Sequence, residues 1–179
     1  MATGSPGEGL LDSCEHRGNF MANRLEQRIQ ILEDIEAIKK LKARYCAHCD
    51  DDHNPDALTA LFVEDGVWEA SGIIRAEGHD AIRAYFSGLR ASGRIRNSAH
   101  NALNPQIEVA GDTATGHWRL IMLYTGNLPT GEVQYFRIVG WYREEYVRVD
   151  GEWLFQSLYC QVEENAPYPV EADRIPSPQ

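Results

Sequence analysis

Apolar residues along the chain fall into two regimes, one with a helical period and one with the period of strands. From Asn23 the spacing is helical: Ile31, Ile35, Ile38, Leu41, Tyr45 and Cys49 recur at intervals of three and four, the stripe a helix presents to a sheet. Leu25, Ile29 and Leu32 lie on a different stripe, which predicts either a kink or a helical arm that contacts another subunit. The run Asp50 to Pro55 breaks the helix, and Asn54 followed by Pro55 supplies the cap and first turn of a short second helix through Leu61. Phe62 to Trp68 reads as a strand. Gly78 then precedes a third helix, roughly Asp80 to Leu89, with Ile82, Tyr85, Phe86 and Leu89 on its apolar side.

From Ile95 to Glu163 the residues alternate as strands do, punctuated by turn signals at Ala110-Gly111-Asp112, Gly126 to Gly131 and Asp150-Gly151. Asp-Gly between Val149 and Glu152 is the strongest hairpin signal in the chain. Helices first and an antiparallel meander afterwards predict an α+β fold. The expected architecture is a cone-shaped, curved antiparallel sheet packed against N-terminal helices, an α+β barrel around a small-molecule pocket. Residues 1–20 show neither period and are expected to form a disordered tail. The domain is expected to span 21–168, with a Pro-rich C-terminal tail at 169–179.

Composition narrows the picture. A chain of 179 residues with 43% hydrophobic and 25% charged residues suits one domain with a real core. No apolar run approaches a membrane span and the N-terminus lacks the order of a signal peptide, so a cytoplasmic protein with no membrane partner is expected. A net charge of -10 argues against a nucleic-acid partner, because such binding rests on Lys and Arg neutralising phosphates. Cys14, Cys46, Cys49 and Cys160 have no secretory context and are expected to be free thiols.

Candidate chemistry gathers where the first helix stops. Tyr45 and Asp50, five apart at a helix end, offer a phenol and a carboxylate that can serve as acid and base, although Tyr45 also continues the apolar stripe. The polar strand Asn97 to Asn104 carries His100, and period-two alternation groups it with Ala102 and Asn104. A pocket histidine beside a carboxylate is a credible proton shuttle. Cys46-Ala-His-Cys49 with His53 has metal-ligand residue types but no second pair, and the two thiols close a helix rather than open one, so core-facing thiols and no metal are expected. Trp68, Trp118, Trp141 and Trp153 with Tyr135, Tyr142, Tyr146 and Tyr159 load the sheet with aromatics that suit a hydrophobic ligand.

The run from Asp34 to Tyr45, Asp50, Leu58 to Trp68, Gly78 to Ile82, His100, Asp112 to Trp118 and Asp150 to Trp153 together resemble the SnoaL-like branch of the nuclear transport factor 2-like superfamily, over about Leu32 to Tyr168. Within it the chain looks similar to the bile-acid 7α-dehydratase and scytalone dehydratase group, with hexachlorocyclohexane dehydrochlorinase a further relative. The resemblance implies a cofactor-free lyase or isomerase on a small hydrophobic, cyclic substrate, assembled as a homo-oligomer, a trimer or a dimer. It implies His100 as general base, Asp50 as its orienting carboxylate and Tyr45 as proton donor or anchor. Trp68, Trp118, Asn104, Tyr142, Gln161 and Asp51 are the expected substrate contacts. Asp51 stands as an alternative to Asp50, because the loop there is one residue longer than in the relatives. Gln161 occupies the place of an arginine in the bile-acid enzyme, and Trp118 is favoured over His117 at the second histidine of scytalone dehydratase. A ligand-binding protein, a dioxygenase β-subunit-like assembly protein, and a polyketide cyclase or epoxide hydrolase are the rival functions.

Overall fold

The computed structural model describes residues 8–169, with side chains from Met21 onward apart from residue 22. Helix α1 spans Glu8–Asp50, α2 Pro55–Thr59 and α3 His79–Ala91. The strands are β1 Phe62–Ala70, β2 Ile74–Glu77, β3 Ile95–Ala110, β4 Thr113–Asn127, β5 Val133–Val149 and β6 Glu152–Pro167. Helix α1 thus begins upstream of Asn23, where the apolar period starts; residues 1–7 of the expected tail, and 170–179 of the C-terminal one, lie outside the described residues.

The six strands form one sheet in the order β2-β1-β6-β5-β4-β3. It is a curved sheet packed against the N-terminal helices, as expected, with two departures. Strand β1 runs parallel to β6, so the sheet is mixed rather than antiparallel throughout. The order also leaves β2 and β3 as edges, so the barrel does not close. Alternation within β1 could not reveal its partner, since the last strand returns to it only after all the others have paired.

Asp150 and Gly151 turn the β5–β6 hairpin with φ of 51° and 86°, the doubly left-handed turn that Asp-Gly favours. Even-numbered residues of β4 and β5 face inward, and Trp118, Leu120, Met122, Tyr142 and Tyr146 join Ile38, Leu41 and Tyr45 of α1 in the core. Asp34 clamps α1 onto the far end of the sheet: its buried carboxylate accepts from Arg148 at 2.8 and 2.9 Å and from Trp153 Nε1 at 3.1 Å. Burial acts to raise the Asp34 carboxyl, but hydrogen bonds from Trp153, Arg148 and Gln30 outweigh it and hold the pKa below its ordinary value. No helix among the described residues is long and apolar enough to cross a membrane.

Candidate active site

Helix α1 delivers a carboxylate where a helix least favours one. Asp50 is its last residue, at the negative end of the macrodipole, which works against an ionised acid. Donors on β3 offset this. Ser98 Oγ lies 2.8 Å from Asp50 Oδ1, the His100 backbone N–H reaches both oxygens at 3.0 and 3.1 Å, and His100 Nδ1 lies 2.6 Å from Oδ1. Because β3 is an edge strand, the His100 N–H would otherwise lack a ladder partner, and the carboxylate takes that place. Partial burial acts to raise the Asp50 carboxyl; the bonds from the His100 ring, its backbone and Ser98 more than offset it, leaving the pKa below the usual carboxylate range.

That ionised state fixes the imidazole. A carboxylate only accepts, so His100 Nδ1 carries the proton, and in the neutral ring the lone pair sits on Nε2. The His100 side chain is 8% exposed, turned inward from the edge. A cleft of about 410 Å³ between α1 and β3 is lined by Lys42, Cys46, Asp50, His100, Ala102 and Trp118, among others. A second cleft of about 370 Å³ lies along Leu89, Ile95, Tyr124, Phe136 and Ile138, with Arg94, Asn127 and Asn165 also on its lining. His100 pairs with Met122, which pairs with Ile138, so the Ile138 side of this second cleft shares the inward row of the imidazole.

The other expected residues divide. Trp118 lines the cleft beside the dyad and donates from Nε1 to the Tyr146 hydroxyl at 3.0 Å, while His117 points the other way and stacks on Trp141 at 5.5 Å. Tyr45, Trp68 and Tyr142 are buried in the core and line neither cleft. The Tyr45 oxygen accepts from Trp68 Nε1 at 2.9 Å, and burial pushes its phenol well above its ordinary pKa. Asp51 is exposed, accepts from Asn54 at 3.2 Å and does not bond His100; Asp50 does. Asn104 lines neither cleft. It is exposed with φ of 52°, at a bulge between Leu103 and Gln106 that interrupts the alternation grouping it with His100. Gln161 is bonded to the Tyr159 hydroxyl at 2.6 Å and lines neither cleft.

Cys46, Cys49 and Cys160 are free and buried. Burial raises all three thiols, Cys160 to about 11, the opposite of what a reactive thiolate needs. The side chain of Cys14 lies outside the described residues.

Residues 30–159 match the SnoaL-like domain model. The chain belongs to the SnoaL-like domain family. Among solved structures, a provisionally named scytalone dehydratase from Novosphingobium aromaticivorans shares 27% identity at a TM-score of 0.68, covering 79% of this chain and 91% of its own. A provisionally named aromatic ring hydroxylase from the same organism shares 26% at 0.67, covering 76% and 94%. The hexachlorocyclohexane dehydrochlorinase of Novosphingobium barchaimii shares 25% at 0.67, covering 83% and 97%.

Two features of this SnoaL-like site go beyond the sequence expectations. His53, 5% exposed, lies with its ring centroid 6.1 Å from that of His100 and stacks on Phe86 at 6.4 Å. Burial, then the neighbouring His100, lowers its pKa to about 4, so it is neutral at physiological pH. Its approach depends on two consecutive left-handed residues, Asp52 and His53, both with φ of 51°, which spacing alone does not announce. The second is a buried ion pair, Lys42 with Glu144, the latter also accepting from the Tyr146 hydroxyl. Lys42 Nζ sits 3.2 Å from the Tyr142 ring centroid. Here a signal did exist: Glu144 alternates with Tyr142 and Tyr146 on one strand face.

Proposed function

We propose that this SnoaL-like protein is a cofactor-independent lyase or isomerase for a small hydrophobic, cyclic substrate. His100 Nε2 removes a proton next to a carbonyl-like group, and the released electron pair forms a double bond or an enolate. In the lyase direction the bond to a hydroxyl on the adjacent carbon breaks, and the departing oxygen takes a proton to leave as water. Asp50 holds the imidazole in the required tautomer and stabilises the imidazolium that forms. Tyr45 is assigned the donor role towards the leaving group or oxyanion. Its phenol stays protonated, its oxygen accepts from Trp68 and its hydroxyl is within hydrogen-bond reach of Cys49, so the role requires the proton to pass from the core layer under the cleft.

The observation that carries this reading is the 2.6 Å contact between His100 Nδ1 and an Asp50 carboxylate held in its ionised form, within a cleft. Membership of a family whose solved neighbours include proteins named as a dehydratase and a dehydrochlorinase adds support. Beside the dyad the same cleft presents Cys46, Ala102, Leu103 and Trp118, which favours a hydrophobic ring over a sugar or nucleotide.

The test is a panel of cyclic β-hydroxy ketones followed by NMR in D2O, reading both loss of water and deuterium uptake beside the carbonyl. His100→Ala and Asp50→Asn are each expected to lower kcat/KM by about 10²–10⁴-fold. Tyr45→Phe is expected to lower kcat with little change in KM. Full turnover in the His100 and Asp50 variants overturns the assignment. Tight binding of ring ketones with neither reaction points instead to the ligand-binding role.

A further inference from the structure

Upstream of Asp34, helix α1 leaves the body of the protein. Every side chain from residue 23 to 33 is exposed, whereas Asp34 and Ile38 are buried. In proteins most helical stability comes from packing of an amphipathic face, yet this stretch presents Leu25 at 55%, Ile29 at 46% and Leu32 at 66% exposure on one stripe with nothing of its own body against them. Their spacing of four and then three is the a/d repeat of a coiled coil, with Ile29 at a and Leu25 and Leu32 at d. β-Branched residues at a with leucine at d favour two parallel strands over larger bundles.

The flanking charges agree. In that frame Arg28 takes a g position and Glu33 the following e position. In a parallel, in-register pair, g of one helix faces the next e of the other, so Arg28 meets Glu33 of the second copy on both sides of the seam. In an antiparallel pair, g would face g and the complementarity would be lost. We propose that the Leu25–Glu33 segment of α1 is a dimerisation arm that pairs in parallel with the same segment of a second copy. The occupant of the apolar stripe is thus this chain itself. Asp34, clamped by Arg148 and Trp153, marks where each arm joins its own body. The proposal is independent of the reaction assigned to His100.

The full chain of 20.2 kDa is to be weighed by sedimentation velocity across micromolar concentrations. The wild type is expected to show a species that Leu25→Glu/Leu32→Glu lowers by a factor of two in mass, with near-UV circular dichroism unchanged. Arg28→Glu is expected to weaken the dimer at least tenfold, and Arg28→Glu/Glu33→Arg to restore it. That reversal decides the matter even if the leucine variant folds poorly. In Leu32→Cys, oxidation is expected to give a disulfide between copies, because only a parallel, in-register pair brings this end of one arm beside the same end of the other. A wild type that remains monomeric, or an assembly indifferent to both the leucine and the charge variants, overturns the proposal.

Discussion

His53 occupies a place where taking up a proton is expensive, and the direction of the cost can be worked out. Its ordinary pKa of about 6.5 is lowered to about 4 in the folded protein. Between those values the unfolded chain binds a proton that the folded one refuses. Stability from this group is therefore complete above pH ~6.5 and is lost as the pH falls towards 4, by on the order of 3 kcal/mol once both states are titrated. Urea unfolding at pH 7 and pH 4.5 should show the loss. His53→Asn, which tolerates the left-handed backbone, should flatten it while lowering stability at pH 7, because the ring that stacks on Phe86 is gone. Asp50 acts in a different window. Its folded pKa is depressed, so its contribution is present above pH ~4 and disappears only as the pH falls through its lowered value. An acid transition confined to pH below 4 in the wild type would show that His53 is not held neutral by its surroundings.

At the scale of elements, the site depends on how α1 is seated on the sheet, and the Lys42–Glu144 pair is the deepest tie between them. Both side chains are essentially inaccessible, so removing one partner strands the other as a buried charge, at a cost of about 3–5 kcal/mol. Lys42→Met and Glu144→Gln should each lower Tm strongly. The double variant should recover much of the loss, because replacing both members of a buried pair is often near neutral. Equal and additive losses would mean that the two are not coupled. Gly140 is a second tie, at the register shift between β5 and β6. A Cβ there would meet the Gln161 carbonyl oxygen at 2.1 Å, so Gly140→Ala must displace backbone and should destabilise the protein by more than a surface change would. Much of this was legible in the residues. The stripe from Ile38 to Cys49, the Asn54-Pro55 helix start, the Asp150-Gly151 hairpin and the inward face carrying Trp118 all follow from periodicity and turn chemistry. Two features did not follow. The bulge at Asn104 moves the inward row from His100 and Ala102 to Ile107 and Val109, and the apolar Leu103 and Pro105 beside it blur the alternation that would mark where the phase changes. The parallel pairing of β1 with β6 joins segments some ninety residues apart, as in Trp68 opposite Leu158, and no local signal records it.

For the whole molecule, two roles fall at opposite ends of one helix. The N-terminal part of α1 carries the exposed apolar seam proposed to pair with a second copy, and its C-terminal residue carries the acid bonded to His100. The body between them, clamped at Asp34 and at Lys42, holds the two apart. Dissociating the dimer through Leu25→Glu/Leu32→Glu should therefore leave turnover per chain within about twofold of wild type, since mutations this far apart with no shared partners act independently. Activity that falls in step with dimer loss would show that the second copy completes the site. The fold alone does not decide the chemistry, because one architecture hosts many functions. What decides it is whether a basic imidazole nitrogen is held ready beside the cleft. Nitrogen-15 NMR of histidine-labelled protein measures this without any substrate. Neutral His100 is expected to show a protonated Nδ1 and a bare Nε2, a state that Asp50→Asn disturbs. A His100 signal with its proton on Nε2 would leave a donor where the mechanism needs a base, and would contradict it.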